Sequence, residues 1–155
     1  MGKSQHNQGG GVNYLCMPKE PEFSDSPLSG SGSGAFILGV EYEGTHATSP
    51  FTHLSNDDAP CAVCEVQGRA LVLMIPAKRT CPSGWTLEYD GWLASQHSSS
   101  RGSDFVCISS GMEAADGGSA NQNAGQLWVV KAKSGALPSP PYTNNYLINC
   151  IVCTK

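Results

Sequence analysis

Apolar positions along this chain come in short bursts, none spaced for a long helix. Residues 12–17, 36–42, 61–66, 68–75 and 86–89 each join β-branched, aromatic or aliphatic side chains over the length of a strand. The longest burst, Ala70-Leu-Val-Leu-Met-Ile-Pro-Ala77, suits a buried strand. Between the bursts lie segments rich in Gly, Ser, Pro and Asn, at 9–11, 18–34, 45–60 and 109–124, which read as loops. Short strands parted by turn clusters predict an all-β fold with few or no helices.

The bursts also recur in phase. Ser4-Gln5-His6 returns as Ser95-Gln96-His97, and ten residues after each His stands a cysteine, Cys16 and Cys107. Asn13-Tyr14-Leu15 and Asp104-Phe105-Val106 precede those cysteines. Gly34 and Gly125 follow, then Ser49-Pro50-Phe51 and Ser139-Pro140-Pro141-Tyr142. Each half closes on a CxxC pair, Cys61-Ala-Val-Cys64 and Cys150-Ile-Val-Cys153. An internal repeat has to be recognised before other fold arguments. It predicts two pseudo-symmetric tandem subdomains, 1–66 and 67–155. The second is complete, with Cys81, Cys107, Cys150 and Cys153. The first lacks the front portion that would carry the counterpart of Cys81, so the cysteine total is seven.

Composition narrows the function classes. At 155 residues, with a net charge of −4 and 14% charged residues, the chain lacks the clustered Lys and Arg of a nucleic-acid binder. No apolar run is long enough to cross a membrane as a helix, so no membrane partner is expected. Met1-Gly-Lys-Ser-Gln-His6 is polar throughout and carries neither a secretory signal nor a complete myristoylation pattern. With the partial first repeat, it reads as a mature or excised form. Seven cysteines in so short a chain mean disulfides in an oxidising compartment, or metal and redox chemistry in a reducing one. Four CxxC thiolates suit tetrahedral zinc, but the two pairs lie much further apart than in small zinc modules. A zinc site would also leave Cys16, Cys81 and Cys107 unexplained. No βαβ pattern surrounds either CxxC to support a thioredoxin-like role.

Other candidate chemistry is thin. His6 and His97, beside Gln5 and Gln96, would be related ligand positions, or a polar edge inherited by duplication; the second is preferred. His46 and His53 lie near Asp57 and Asp58 without the spacing of a cation loop, and a solvated loop is expected. Gly30-Ser-Gly-Ser-Gly34 lacks the strand–turn–helix setting of a nucleophile elbow. No catalytic residue, metal or cofactor is therefore assigned. Asn144, Asn145 and Tyr146, with Asn121 and Asn123 and the chain's tryptophans, would suit sugar stacking and hydroxyl binding. Trp85, Trp92 and Trp128 are expected in the core instead.

Cys61-Ala-Val-Cys64-Glu65, residues 70–75, Cys81-Pro-Ser-Gly-Trp85, Asp90-Gly-Trp92 and the ending Asn149-Cys-Ile-Val-Cys153-Thr-Lys155 resemble the type IV collagen C-terminal non-collagenous domain. Gly10-Gly-Val-Asn-Tyr-Leu-Cys16-Met-Pro and Leu73-Met-Ile-Pro-Ala-Lys78 look like its invertebrate short-chain collagen relatives. The resemblance covers nearly the whole chain. It implies a β-rich tandem fold, a secreted protein and no enzymatic activity. It also implies the pairs Cys81–Cys153, Cys107–Cys150 and Cys16–Cys61, leaving Cys64 unpaired or intermolecular. The chain departs from the collagen domain in lacking its extra disulfide hairpins and any Gly-X-Y stretch. The expected function is a non-enzymatic extracellular matrix or assembly module, partnered by itself as a homo-oligomer or by other extracellular proteins. The alternative is a secreted lectin-like protein that binds glycans.

Overall fold

The structure, a computed structural model, describes residues 11–24 and 34–155. Its strands are β1 (Val40–Glu43), β2 (Val72–Pro76), β3 (Thr86–Ser95), β4 (Val106–Ser109), β5 (Gly125–Val129) and β6 (Asn149–Thr154). Among the described residues one 3-10 turn, Thr52–Leu54, is the only helical element. The protein is all-β. The strands form one mixed sheet in the order β1-β5-β3-β6-β2, with β4 also paired to β3.

The ten-residue β3 is the spine of that sheet. Thr86 to Trp92 pair with β6, Gly91 to Ala94 with β4, and Ala94 and Ser95 with β5. All these pairings are antiparallel, whereas β1 runs parallel to β5. Successive strand residues face opposite sides, so Leu93 and Ala94 feed two different cores. Ala94 packs with Val40, Tyr42, Phe51 and Leu127. Leu93 packs with Cys107 and Cys150, and Met74, Val130, Ile148 and Val152 close around them. A fully buried Phe51 or Ile151 contributes about 1.5–3 kcal/mol of apolar transfer.

Three disulfides staple this frame. Cys107–Cys150 links β4 to β6 across β3, with a Cα separation of 5.7 Å. Cys81–Cys153 ties the turn before β3 to β6, at 6.0 Å. Cys16–Cys61 joins the N-terminal segment to the chain after the first loop, at 5.5 Å. Cys64 is free and exposed.

Several local expectations need correction. Residues 12–17 form no strand; the Asp104 amide donates to the Val12 carbonyl at 3.1 Å. The 36–42 strand starts only at Val40, with Phe36 and Ile37 exposed. Residues 61–66 are irregular and join no ladder among the described residues. The 70–77 burst contributes an edge strand, not a buried one: among the described residues β2 pairs only with β6, and Val72 is 73% exposed. The three tryptophans are half-buried, Trp92 against the Tyr42–Phe51 cluster.

Among the described residues the strands do not divide into two equal sets, since 1–66 hold β1 and 67–155 the other five. A smaller motif does recur. The Tyr42 amide donates to the Asp57 carbonyl, the Asn56 amide to Tyr42, and the Ala59 amide to Val40. In the second half Ala132 donates to Tyr146, Asn145 to Ala132, and Ile148 to Val130. Asn56 and Asn145 both adopt positive φ, 70° and 66°, at the same place in that motif. Asparagine tolerates this left-handed geometry better than most side chains.

Candidate functional site

Three places carry the polar and reactive groups. The first is built on β1, whose sequence Val-Glu-Tyr-Glu sends Val40 and Tyr42 into the core and Glu41 and Glu43 to the opposite face. That face should meet water, yet Glu41 and Glu43 are only 1% and 5% exposed. The chain before β5 folds over them. The amides of Gln122 and Asn123 donate to the two Glu41 carboxylate oxygens at 2.7 and 3.1 Å. Gln126 Nε2 donates to Glu43 Oε1 at 2.7 Å and to Asn123 Oδ1 at 3.1 Å. The Gln126 amide donates to Gln96 Oε1 at 2.9 Å, and Trp128 Nε1 donates to Gln126 Oε1 at 3.2 Å. The His97 ring meets Trp128 edge-on, with centroids 4.7 Å apart.

Burial, then the Glu41 charge, push the Glu43 carboxyl above its ordinary value, and the Gln126 hydrogen bond opposes them. A raised folded-state value means the neutral acid is favoured in the folded protein. That contribution is fully present below the ordinary carboxylate range near 4.5 and is lost as pH rises through the folded value. Glu43→Gln keeps the shape and the carbonyl acceptor for Gln126 and removes the charge. This variant is expected to melt a few degrees above the wild type at neutral pH and level with it near pH 4, in paired thermal scans. The cluster holds a loop in place. Among the described residues no group of three or more His, Cys, Asp or Glu is placed to hold a metal ion.

The second place lies beside the 130–132 and 146–148 segments. A cavity of about 310 Å³ opens there, lined by Arg79, Ala132, Tyr142, Thr143, Tyr146 and Asn149 among others. Asn144 is spent on the loop, its Oδ1 accepting from the Ser134 amide at 3.1 Å, and Asn145 makes the turn. Of that sequence trio, Tyr146 alone reaches the cavity. Gln96 and His97 belong to the glutamate cluster, and no hydrogen bond or ring contact links the two groups among the described residues. Gln5 and His6 lie outside the described residues.

The third place is the Cys61–Cys64 segment itself. It is exposed throughout, with Val63 at 87%, and among the described residues it makes no backbone-to-backbone hydrogen bond. Its counterpart β6 is flanked by β2 and β3, and Cys150, Ile151 and Cys153 are fully buried. Burial, and secondarily the Cys64 sulfur, raise the Tyr89 hydroxyl, which donates to the Cys107 carbonyl at 3.1 Å.

Sequence reasoning missed Glu41, Glu43, Gln126 and Arg79. Alternating Val-Glu-Tyr-Glu has the look of a half-exposed strand, and nothing local announces the loop that covers it. Arg79 sits in Pro76-Ala-Lys-Arg-Thr-Cys81, where a basic pair after a strand reads as solvated.

The fold and its sites define a disulfide-stapled all-β protein built around one mixed sheet. Comparison with protein-family models, curated proteins and solved structures finds no match for the chain.

Proposed function

We propose that this chain is a non-enzymatic extracellular assembly module that joins other protein chains at its 61–66 segment. The observation that carries the proposal is the unequal fate of the two CxxC pairs. Cys150-Ile-Val-Cys153 is an inner strand with a neighbour on each side, and Cys153 is bonded to Cys81. Among the described residues Cys61-Ala-Val-Cys64 has no ladder partner, and it carries an exposed valine and a free thiol. Unpaired backbone with exposed apolar side chains takes up a strand from another chain, and a thiol can then lock it. The outer edge of β2, with Val72 and Leu73 exposed and Leu71 exposed just before it, extends the same opportunity.

Three disulfides fit an oxidising, extracellular setting, and no helix among the described residues is long and apolar enough to cross a membrane. The resemblance to the type IV collagen domain and the short-chain collagens favours a matrix role. The partner is a second copy of the chain or another extracellular protein.

The test is light scattering over a concentration series, with non-reducing intact mass after thiol alkylation. The expected result is a concentration-dependent oligomer, part of it linked through Cys64 and released by reductant. Cys64→Ser should abolish the covalent species, and Val63→Asp should weaken the non-covalent one. One symmetric monomer peak at every concentration, with Cys64 fully alkylated, would sink the proposal.

A further inference from the structure

The cavity beside the 130–132 and 146–148 segments goes beyond the assembly reading and stands if that reading fails. Ala77 leaves β2 with φ 57°, and its amide donates to the Asn149 carbonyl at 2.8 Å. Two residues on, Arg79 Nη2 donates to Asn149 Oδ1 at 3.1 Å, which fixes the guanidinium at the cavity wall. No Asp or Glu lines the cavity. Among the described residues the one salt bridge is Arg69–Glu88, so Arg79 has no counter-ion. Guanidinium carries five N–H donors in a planar fork, and the fork matches a carboxylate in two parallel bonds.

The remaining wall is aromatic and hydroxylic. Tyr142 is half-buried, Tyr146 is 69% exposed, and Thr143 lies between them in sequence. A tyrosine offers an apolar ring face together with a polar tip, a combination suited to the C–H face and hydroxyls of a pyranose. The volume of about 310 Å³ lies at the small end of ligand pockets and suits a single sugar residue. In the first half Phe51 stands at the position matched to Tyr142 and is fully buried with its ring 5.5 Å from Tyr42, so the halves do not offer equal sites.

From this geometry we infer a binding site for a carboxylate-bearing sugar, a uronic acid residue of a glycan. Its carboxylate rests on Arg79 and its ring against Tyr142 and Tyr146.

The test is titration by two-dimensional NMR with sodium glucuronate, glucose, glucose 6-sulfate and acetate. The proteins are the wild type, Arg79→Gln and Tyr146→Ala, each confirmed as folded by its melting temperature. Glucuronate should bind with Kd on the order of 1 mM, shifting the amides of the lining residues. Glucose and acetate should each bind at least tenfold more weakly. Arg79→Gln should lose at least tenfold in glucuronate affinity with its melting temperature unchanged, and Tyr146→Ala should weaken glucuronate and leave acetate unaffected. Equal affinity for glucuronate and glucose, or an Arg79→Gln variant that binds like the wild type, would overturn the inference. Acetate binding as tightly as glucuronate would also overturn it, leaving a plain carboxylate site. Tighter binding of glucose 6-sulfate would replace the uronic acid with a sulfated sugar.

Discussion

Gly91→Ala is expected to destabilise the protein by roughly 3 kcal/mol or more, at the upper end of what overpacking costs. Gly91 is the point on β3 where two neighbours close in at once, pairing with Ser109 of β4 on one side and Cys150 of β6 on the other. A Cβ there would run into the Ile108 carbonyl oxygen and stand 2.7 Å from its carbon and 3.0 Å from Ser109 Cα. These are backbone atoms held in a ladder, so no rotamer change relieves the clash. The strands must part instead. β4 then loses its register against Trp92, Leu93 and Ala94, and the core around Leu93, Cys107 and Cys150 opens. For a protein of this size a loss of 3 kcal/mol lowers the melting temperature by about 6–12 °C. Gly111→Ala is the control, since its added methyl meets nothing closer than Ser109 Oγ at 3.8 Å. If both variants melt within a degree of the wild type, β3 and β4 do not approach as described.

Gly91 also shows what could be read in the chain and what could not. The Asp90-Gly-Trp92 motif and the strand around it are visible in the sequence, and so is the all-β character of the fold. The close approach is not, because it depends on β4, which arrives fifteen residues later. Cysteine spacing alone could not say which thiols pair; the family resemblance supplied the pairing. The 61–66 segment shows the limit most clearly. Its composition is strand-like and its relation to β6 is plain, yet strand structure is made by neighbours. β6 has β2 and β3 beside it, whereas 61–66 has neither. At the site, Gln96 and His97 were legible as a repeated pair. The carboxylates they stand near were not. A glutamate in an alternating strand is expected to face water, and the loop that buries Glu41 and Glu43 is fixed by backbone amides of Gln122 and Asn123, which leave no mark on side-chain pattern.

Removing the Cys107–Cys150 disulfide, as Cys107→Ala/Cys150→Ala in a Cys64→Ser background, is expected to cost more than removing either other bridge. The three loops span 45, 72 and 43 residues. Loop-closure entropy depends only weakly on such lengths and assigns each bridge about 4 kcal/mol. Chain entropy alone therefore predicts near-equal effects. It even discounts Cys107–Cys150, whose loop lies within the one closed by Cys81–Cys153. Packing reverses that order. Cys107 and Cys150 are both buried and sit with Leu93 in the second core, so losing their sulfur atoms leaves a void there. Cys153 is buried but Cys81 is only half-buried, and Cys61 lies at the surface. The expected order of destabilisation in urea unfolding is Cys107–Cys150, then Cys81–Cys153, then Cys16–Cys61. A largest loss on removing Cys16–Cys61 would mean that the first half, and not the β3–β4–β6 core, limits the stability of the whole chain. Three equal losses would mean that the bridges act on the unfolded chain alone, and that the sulfur atoms packed around Leu93 contribute nothing as core.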